Sequence, residues 1–237
     1  MQEIKRKNTK IWVADNASSY FQVEWFNPPK DSVLTQAEQW QSGRQSVTKF
    51  KIQDHYMVLR HYCRGGLPAK LSRDKYLFTG WEATRAYKEV SLLMKMRDLK
   101  LPVPEPIAAK SELHGFIYAS DIIMHEIRNS RTLVQMLIEN ELSSQIWSRI
   151  GTMIRKFHAA GIQHVDLNAN NILIDEQEKL YLIDFDRCVQ RKYSQTWGIK
   201  GLQRLKRSLL KLQKTNETLA FTEENYQVLC KGYNERE

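Results

Sequence analysis

The chain has 237 residues, 42% hydrophobic and 27% charged, a composition suited to one large soluble domain or two small lobes. Its three cysteines, Cys63, Cys188 and Cys230, lie far apart without C-x-x-C spacing, which argues against a disulfide framework or zinc site and for a reducing, cytoplasmic setting. A net charge of +9 calls for an anionic partner, whether nucleotide, nucleic acid or acidic membrane surface.

Residues 1–10 are charged throughout, with no apolar stretch of a signal peptide, and no later segment reads as a membrane span. Any membrane association is therefore expected to be peripheral. The first forty residues carry aromatics (Trp12, Tyr20, Phe21, Trp25, Phe26) without a clear period, and are expected to pack on a first lobe. Around Gly43 a Ser-Gly-Arg-Gln-Ser run leads into alternating residues 47–52, with 56–61 as the partner strand. A turn here suits either an ordinary hairpin or a cover for phosphates, since one glycine is a weak motif. Arg60 ends the second strand, where it fits both a solvated cation and one reaching a phosphate. His61, Arg64, Gly65 and Gly66 read as a basic, flexible loop.

Residues 81–99 predict a helix with Ala86, Val90, Leu93 and Arg97 on one side, ended by the prolines at 102, 104 and 106. Glu89 lies within it. Residues 116–119 and 122–126 predict another hairpin, and a short helix then carries Leu133, Met136 and Leu137. A strongly amphipathic helix over 143–158 places Ile146, Ile150, Ile154 and Phe157 on one face.

That helix leads into the most informative stretch, residues 161–187. His164, Asp166 and Asn171 stand as His-x-Asp-x-x-x-x-Asn, and an apolar run at 180–183 ends on Asp184. Two acids and an amide between short strands suit phosphoryl transfer, in which a carboxylate orients the attacking hydroxyl and hard oxygens hold magnesium on ATP. Asp166 is the expected base, with Asn171 and Asp184 the metal ligands. Asp and Asn also punctuate turns, but the match extends through the apolar residues on both sides. His158 and His164 have no third ligand at metal spacing and are expected to hold the loop by hydrogen bonds. No G-x-S-x-G, H-E-x-x-H, Walker A or dinucleotide fingerprint occurs.

Beyond it, Leu202, Leu205, Leu209 and Leu212 form a stripe along 201–214, with Arg204, Lys206, Arg207, Lys211 and Lys214 on the other faces. The leucines predict a core contact, leaving the cations free to meet an anionic membrane surface. A last helix is expected over 221–233, capped by Thr222, with Phe221 and Tyr226 as a staple.

Taken together, Leu59-Arg-His-Tyr-x-Arg-Gly-Gly66, Thr84-Arg-Ala with Glu89, Leu101-Pro-Val-Pro104, His164-x-Asp-Leu-Asn-Ala-x-Asn-Ile-Leu173 and Leu182-Ile-Asp-Phe-Asp-Arg187 resemble the lipopolysaccharide kinase family, over all but about the first forty residues. The resemblance implies a single α+β, protein-kinase-like catalytic domain with two lobes. A small β-rich N-lobe would span about 1–126 and a mainly helical C-lobe about 127–237. It implies ATP and Mg2+ between the lobes, with Arg60, Glu89 and Gly43 serving the nucleotide. The acceptor would be 3-deoxy-D-manno-octulosonic acid (Kdo) on a lipid A precursor, phosphorylated at its 4-hydroxyl on the cytoplasmic face of a Gram-negative inner membrane. No nucleic acid and no obligate protein partner are expected. Departures from ordinary protein kinases are Arg60 for lysine, Asn168 for lysine, Asp186 for glycine, and the lack of an Ala-Pro-Glu after Asp184. Such departures also suit a nucleotide-binding pseudokinase, whereas Asp166, Asn171 and Asp184 together favour catalysis.

Overall fold

In the computed structural model, which describes residues 1–37, 45–63 and 75–235, the alternating stretches gather into one sheet. The described chain is α+β and divides into two units, Met1–Lys95 with Pro104–Glu126, and Met96–Val103 with Ile127–Glu237. The first unit holds β1 (Gln2–Arg6), β2 (Thr9–Val13), β3 (Val33–Ala37), β4 (Gln45–Ile52), β5 (His55–Tyr62), β6 (Tyr76–Leu77), most of α1 (Arg85–Asp98), β7 (Pro106–His114) and β8 (Ile117–His125). Its sheet runs β1-β2-β7-β8-β5-β4-β3, with β6 added on β8, and its pairings are antiparallel.

The β4–β5 hairpin lies where the alternation put it. Gly43 and the 64–66 loop lie outside the described residues, while His61 belongs to β5 and meets Asp121 at 2.6 Å. Three expectations change. The charged start of the chain is the β1–β2 hairpin, where Ile4, Ile11 and Val13 supply the apolar side. The helix begins at Arg85, four residues late, because residues 81–83 form a separate 3-10 turn that receives the Thr84 hydroxyl on the Trp81 carbonyl at 2.6 Å. Within that helix Met96 is buried and Arg97 exposed, since i+3 from Leu93 offers an apolar side chain and i+4 a charged one.

The hairpin expected over 116–126 is instead one strand, β8, pairing with β7 through a turn at Gly115 (φ +64°). Its polar centre mimics a turn but is satisfied across the sheet. Ser120 and Ser111 hydroxyls lie 2.7 Å apart, and Asp121 meets both His61 and Lys110. Burial pushes the Asp121 carboxyl up, but His61 and Lys110 outweigh it and hold the group below its ordinary value. On one face of the sheet Phe50, Met57, Ile107 and Ile123 pack with Trp25 and Phe26, so the aperiodic aromatics near the start form part of this unit's core.

The second unit contains β9 (Ser130–Thr132), α2 (Leu133–Glu139), α3 (Ser144–Ala159), β10 (Ile162–Gln163), β11 (Ile172–Asp175), β12 (Leu180–Leu182), β13 (Val189–Gln190), α4 (Gln195–Thr215) and α5 (Glu223–Asn234). Strand order β12-β11-β9 makes one small sheet and β10-β13 another. A capping box of Thr132 and Gln135 starts α2, and the Ser143 hydroxyl accepts the Ile146 amide at the head of α3. All four predicted α3 residues, Ile146, Ile150, Ile154 and Phe157, are buried.

Helices α3 and α5 touch backbone to backbone. A Cβ on Gly151 would sit 2.0 Å from the Leu229 carbonyl oxygen, and one on Gly232 would sit 2.1 Å from that of Ser148. Helix α4 starts six residues before the expected Gly201, because Gly198 does not break it but admits the Tyr233 hydroxyl. Leu202, Leu205 and Leu209 are buried, with Leu212 partly so. Thr222 caps α5 with Asn225, while the Phe221 ring packs on Trp147, 5.7 Å between centroids.

Candidate active site

The turn between α3 and β11 folds around His164. Its Nδ1 accepts the Asp166 amide at 3.3 Å, and Nε2 lies 2.9 Å from the Ile183 carbonyl oxygen. An accepting Nδ1 leaves the proton on Nε2, so the ring is neutral and donates to Ile183. Burial pushes His164 below its ordinary value in the same direction. Ile183 in turn donates its amide to the Asn171 carbonyl at 2.9 Å. These bonds tie the residue before Asp184 to both ends of the loop. Phe185, buried between Phe157 and His164 at 5.8 and 5.0 Å, anchors the other side.

Asn171 is 8% exposed, and its Nδ2 donates to the Asp166 carbonyl at 2.9 Å. Asn168 donates to the same oxygen at 3.0 Å while its Oδ1 accepts the Asn170 amide. The Asp166 backbone is thus held by two amides and a histidine, which frees its carboxylate from structural work. Asp184 and Arg187 adopt left-handed backbone, φ +64° and +61°, a conformation uncommon outside glycine and concentrated at functional turns.

Because Nδ2 of Asn171 is committed to the loop, Oδ1 is the atom left to ligate a cation. That oxygen and those of the Asp184 carboxylate are hard donors of the kind magnesium takes. Two protein oxygens are fewer than the six of octahedral magnesium, so phosphate and water oxygens would complete the shell.

In the first unit, period-two alternation sets Arg60 and Tyr62 on one face of β5, toward α1. Arg60 is 4% and Glu89 2% exposed, and Arg60 Nη2 forms an ion pair with Glu89 Oε2. The solvated-strand-end reading of Arg60 is therefore excluded. Tyr62, which the sequence reading did not single out, donates its hydroxyl to Glu89 Oε2 at 2.6 Å. Burial, reinforced by the Glu89 charge, holds the Tyr62 phenol well above its ordinary value, so it stays a donor.

The α4 cations are not all a free surface. Arg204 donates from Nη2 at 2.6 Å and from Nε at 3.2 Å to Asp166 Oδ1, and among the described residues no protein donor reaches Oδ2. Lys206 pairs with Glu223 of α5 at 2.7 Å. Lys211 and Lys214 remain exposed. Beside Asp166, α4 also walls a cavity of about 430 Å³ with Trp197, Lys200, Arg204 and Arg207, closed behind by His158 and His164. His158 meets the Tyr233 hydroxyl at 2.8 Å, and burial, then the Arg155 charge, lower it to about 4. Both histidines are thus neutral, and the charge lining the cavity is that of the three α4 cations.

Residues 31–233 match the lipopolysaccharide kinase (Kdo/WaaP) family. A 3-deoxy-D-manno-octulosonic acid kinase of Photobacterium profundum is 42% identical over 238 residues, covering 98% of each chain. Proteins of the same description from Vibrio cholerae serotype O1 and Actinobacillus succinogenes are 45% identical over 170 residues (72% of each chain) and 44% identical over 182 residues (74% of each).

Proposed function

Because this chain belongs to the lipopolysaccharide kinase (Kdo/WaaP) family, we propose that it transfers the γ-phosphoryl group of ATP to a hydroxyl of Kdo in lipopolysaccharide core biosynthesis. The observation carrying this reading is the bracing of Asp166, Asn171 and Asp184 by one hydrogen-bond network through His164 and Ile183. It leaves Asp166 Oδ2 without a protein donor among the described residues, and Asn171 and Asp184 carry the hard oxygens that magnesium takes, as phosphoryl transfer requires.

In this reading the acceptor hydroxyl oxygen attacks the γ-phosphorus of ATP, and the bond from that phosphorus to the bridging oxygen breaks. ADP leaves with the electron pair, and the hydroxyl proton passes to Asp166 Oδ2. Asn171 and Asp184 would hold magnesium, which when bound neutralises charge on the transferring group. Arg60, oriented by Glu89 and Tyr62, serves as the nucleotide-phosphate cation with a donor fork in place of lysine. The first unit is read as the N-lobe of a protein-kinase-like fold, expected over about 1–126, and the second, which also takes Met96–Val103, as the C-lobe, expected over about 127–237.

We also assign the 4-hydroxyl of Kdo on a lipid A precursor as the acceptor, met at the cytoplasmic face of the inner membrane. Among the described residues no helix is long and apolar enough to cross a membrane. Exposed Lys211 and Lys214 would add attraction for an anionic bilayer, about 1 kcal/mol per cation at low screening. Incubating the protein with ATP, Mg2+ and Kdo-bearing lipid A precursor should add the mass of one phosphoryl group, with NMR placing it at the 4-position. A sound acceptor that gains no mass would refute the proposal.

A further inference from the structure

The cavity beside Asp166 has the makings of an acceptor subsite. Its volume of about 430 Å³ lies within the range usual for small-molecule sites, and its chemistry is one-sided. Lys200, Arg204 and Arg207 project from α4 along one wall, about one turn apart. Among the described residues neither Lys200 nor Arg207 is paired with a carboxylate. The histidines behind them are neutral and no acid lines the cavity among the described residues, while Asp166 next to it pairs with Arg204.

We infer that this cavity binds the carboxylate of the acceptor sugar, with Lys200 and Arg207 as its anion-binding residues and Arg204 handed from Asp166 to the incoming carboxylate. The inference rests on the proposed kinase reading, which supplies an acidic sugar as acceptor. The side chains of Arg204 and Asp166 are 48% and 41% exposed, and an exposed pair of this kind is weakly held. Exchange of one carboxylate for another on Arg204 therefore costs little, while it uncovers the Asp166 carboxylate next to the bound sugar.

Position selects the carboxylate over a phosphate of the lipid. Arg204 touches Asp166 and the cavity at once, so the bound anion lies within about one sugar ring of the hydroxyl being phosphorylated. The carboxylate of Kdo meets that condition, and phosphates on the neighbouring lipid A sugars lie farther along the acceptor.

The test compares a water-soluble Kdo glycoside with its carboxamide, using the whole chain, ATP and Mg2+, for wild type and the Lys200→Gln/Arg207→Gln variant. Both positions are exposed, and circular dichroism checks that the fold survives. Wild type should prefer the carboxylate through KM by roughly 10–100-fold, the usual value of charge-assisted bonds. The double variant should lose most of that preference by raising KM for the carboxylate alone, with kcat little changed. Equal use of both acceptors by wild type would overturn the inference while leaving the kinase reading intact. So would a preference that survives in the variant, or an effect seen only with the phosphate-bearing lipid acceptor. Calorimetric titration with the glycoside needs no turnover and separates the two readings. Carboxylate-selective binding lost in the variant, without phosphorylation by wild type, would keep the subsite and refute the kinase. Absence of any binding and of any phosphorylation would refute the subsite as well.

Discussion

Replacing Glu89 by glutamine removes one charge from a buried pair and leaves its shape nearly unchanged. Arg60 is 4% exposed, so its guanidinium would lose the Glu89 charge while staying buried, and Tyr62 would exchange a charged acceptor for an amide one. Breaking a buried pair on one side costs about 3–5 kcal/mol, which for a chain of this size lowers Tm by about 10 °C. ATP affinity, measured by calorimetry with magnesium present, should fall together with stability. A triple variant, Arg60→Met, Tyr62→Phe and Glu89→Leu, separates the two effects. It fills the site with apolar groups of similar volume, and such replacements are often neutral or stabilising, so Tm should recover while ATP use stays lost. Arg60→Lys should keep part of the ATP use, since it retains the charge without the fork. A Glu89→Gln protein melting within about 2 °C of wild type would show that the pair is not the buried element described. Wild-type turnover by the triple variant would remove Arg60 from the nucleotide site.

Two further outcomes follow from the second unit. His158 has a folded value of about 4 against 6.5 for the ordinary side chain, so the unfolded chain takes up the proton first as pH falls. Its contribution is complete above pH 6.5 and is lost on the way down to about 4, amounting to about 3 kcal/mol. Urea midpoints at a series of pH values should fall more steeply for wild type than for His158→Gln, and parallel curves would contradict this. Gly151→Ala drives a methyl into the Leu229 carbonyl, 2.0 Å from its Cβ, and should cost about 3 kcal/mol or more. An unchanged Tm would mean that α3 and α5 part easily.

The family is legible at residues 161–187 because phosphoryl transfer as proposed needs Asp166, Asn171 and Asp184 within a short run, and that run leaves a fixed order of residues. Helix α3 was legible for the simpler reason that one face is apolar at every turn. By contrast, β1 alternates Glu3, Ile4 and Lys5 on an edge strand, where the polar side chains hide the period. β8 reads as two strands in sequence because Ser120 and Asp121 resemble a turn until Ser111, His61 and Lys110 are set opposite them. Sequence and structure differ most on α4. A cation on a helix looks the same in sequence whether it faces water or an acid 38 positions away, and so the sequence places Arg204 on a membrane-facing surface while the structure pairs it with Asp166. Substituting it would alter Asp166 directly, and substituting Lys206 would alter the contact with α5. Arg204 and Arg207 stand among the cations of the expected helix, whereas Lys200 lies just before its expected start at 201. What the sequence lacked was the position of Asp166 beside them.

The central claim is that Asp166 takes the proton of an acceptor hydroxyl during phosphoryl transfer. The most direct measurement follows label from γ-labelled ATP into Kdo-bearing lipid, comparing wild type with Asp166→Asn at equal ATP occupancy and matching circular dichroism. The amide fills the same space but cannot accept the proton, so the rate should fall by roughly 10²–10⁴ with ATP binding retained. Transfer at the wild-type rate by the folded variant would contradict the account.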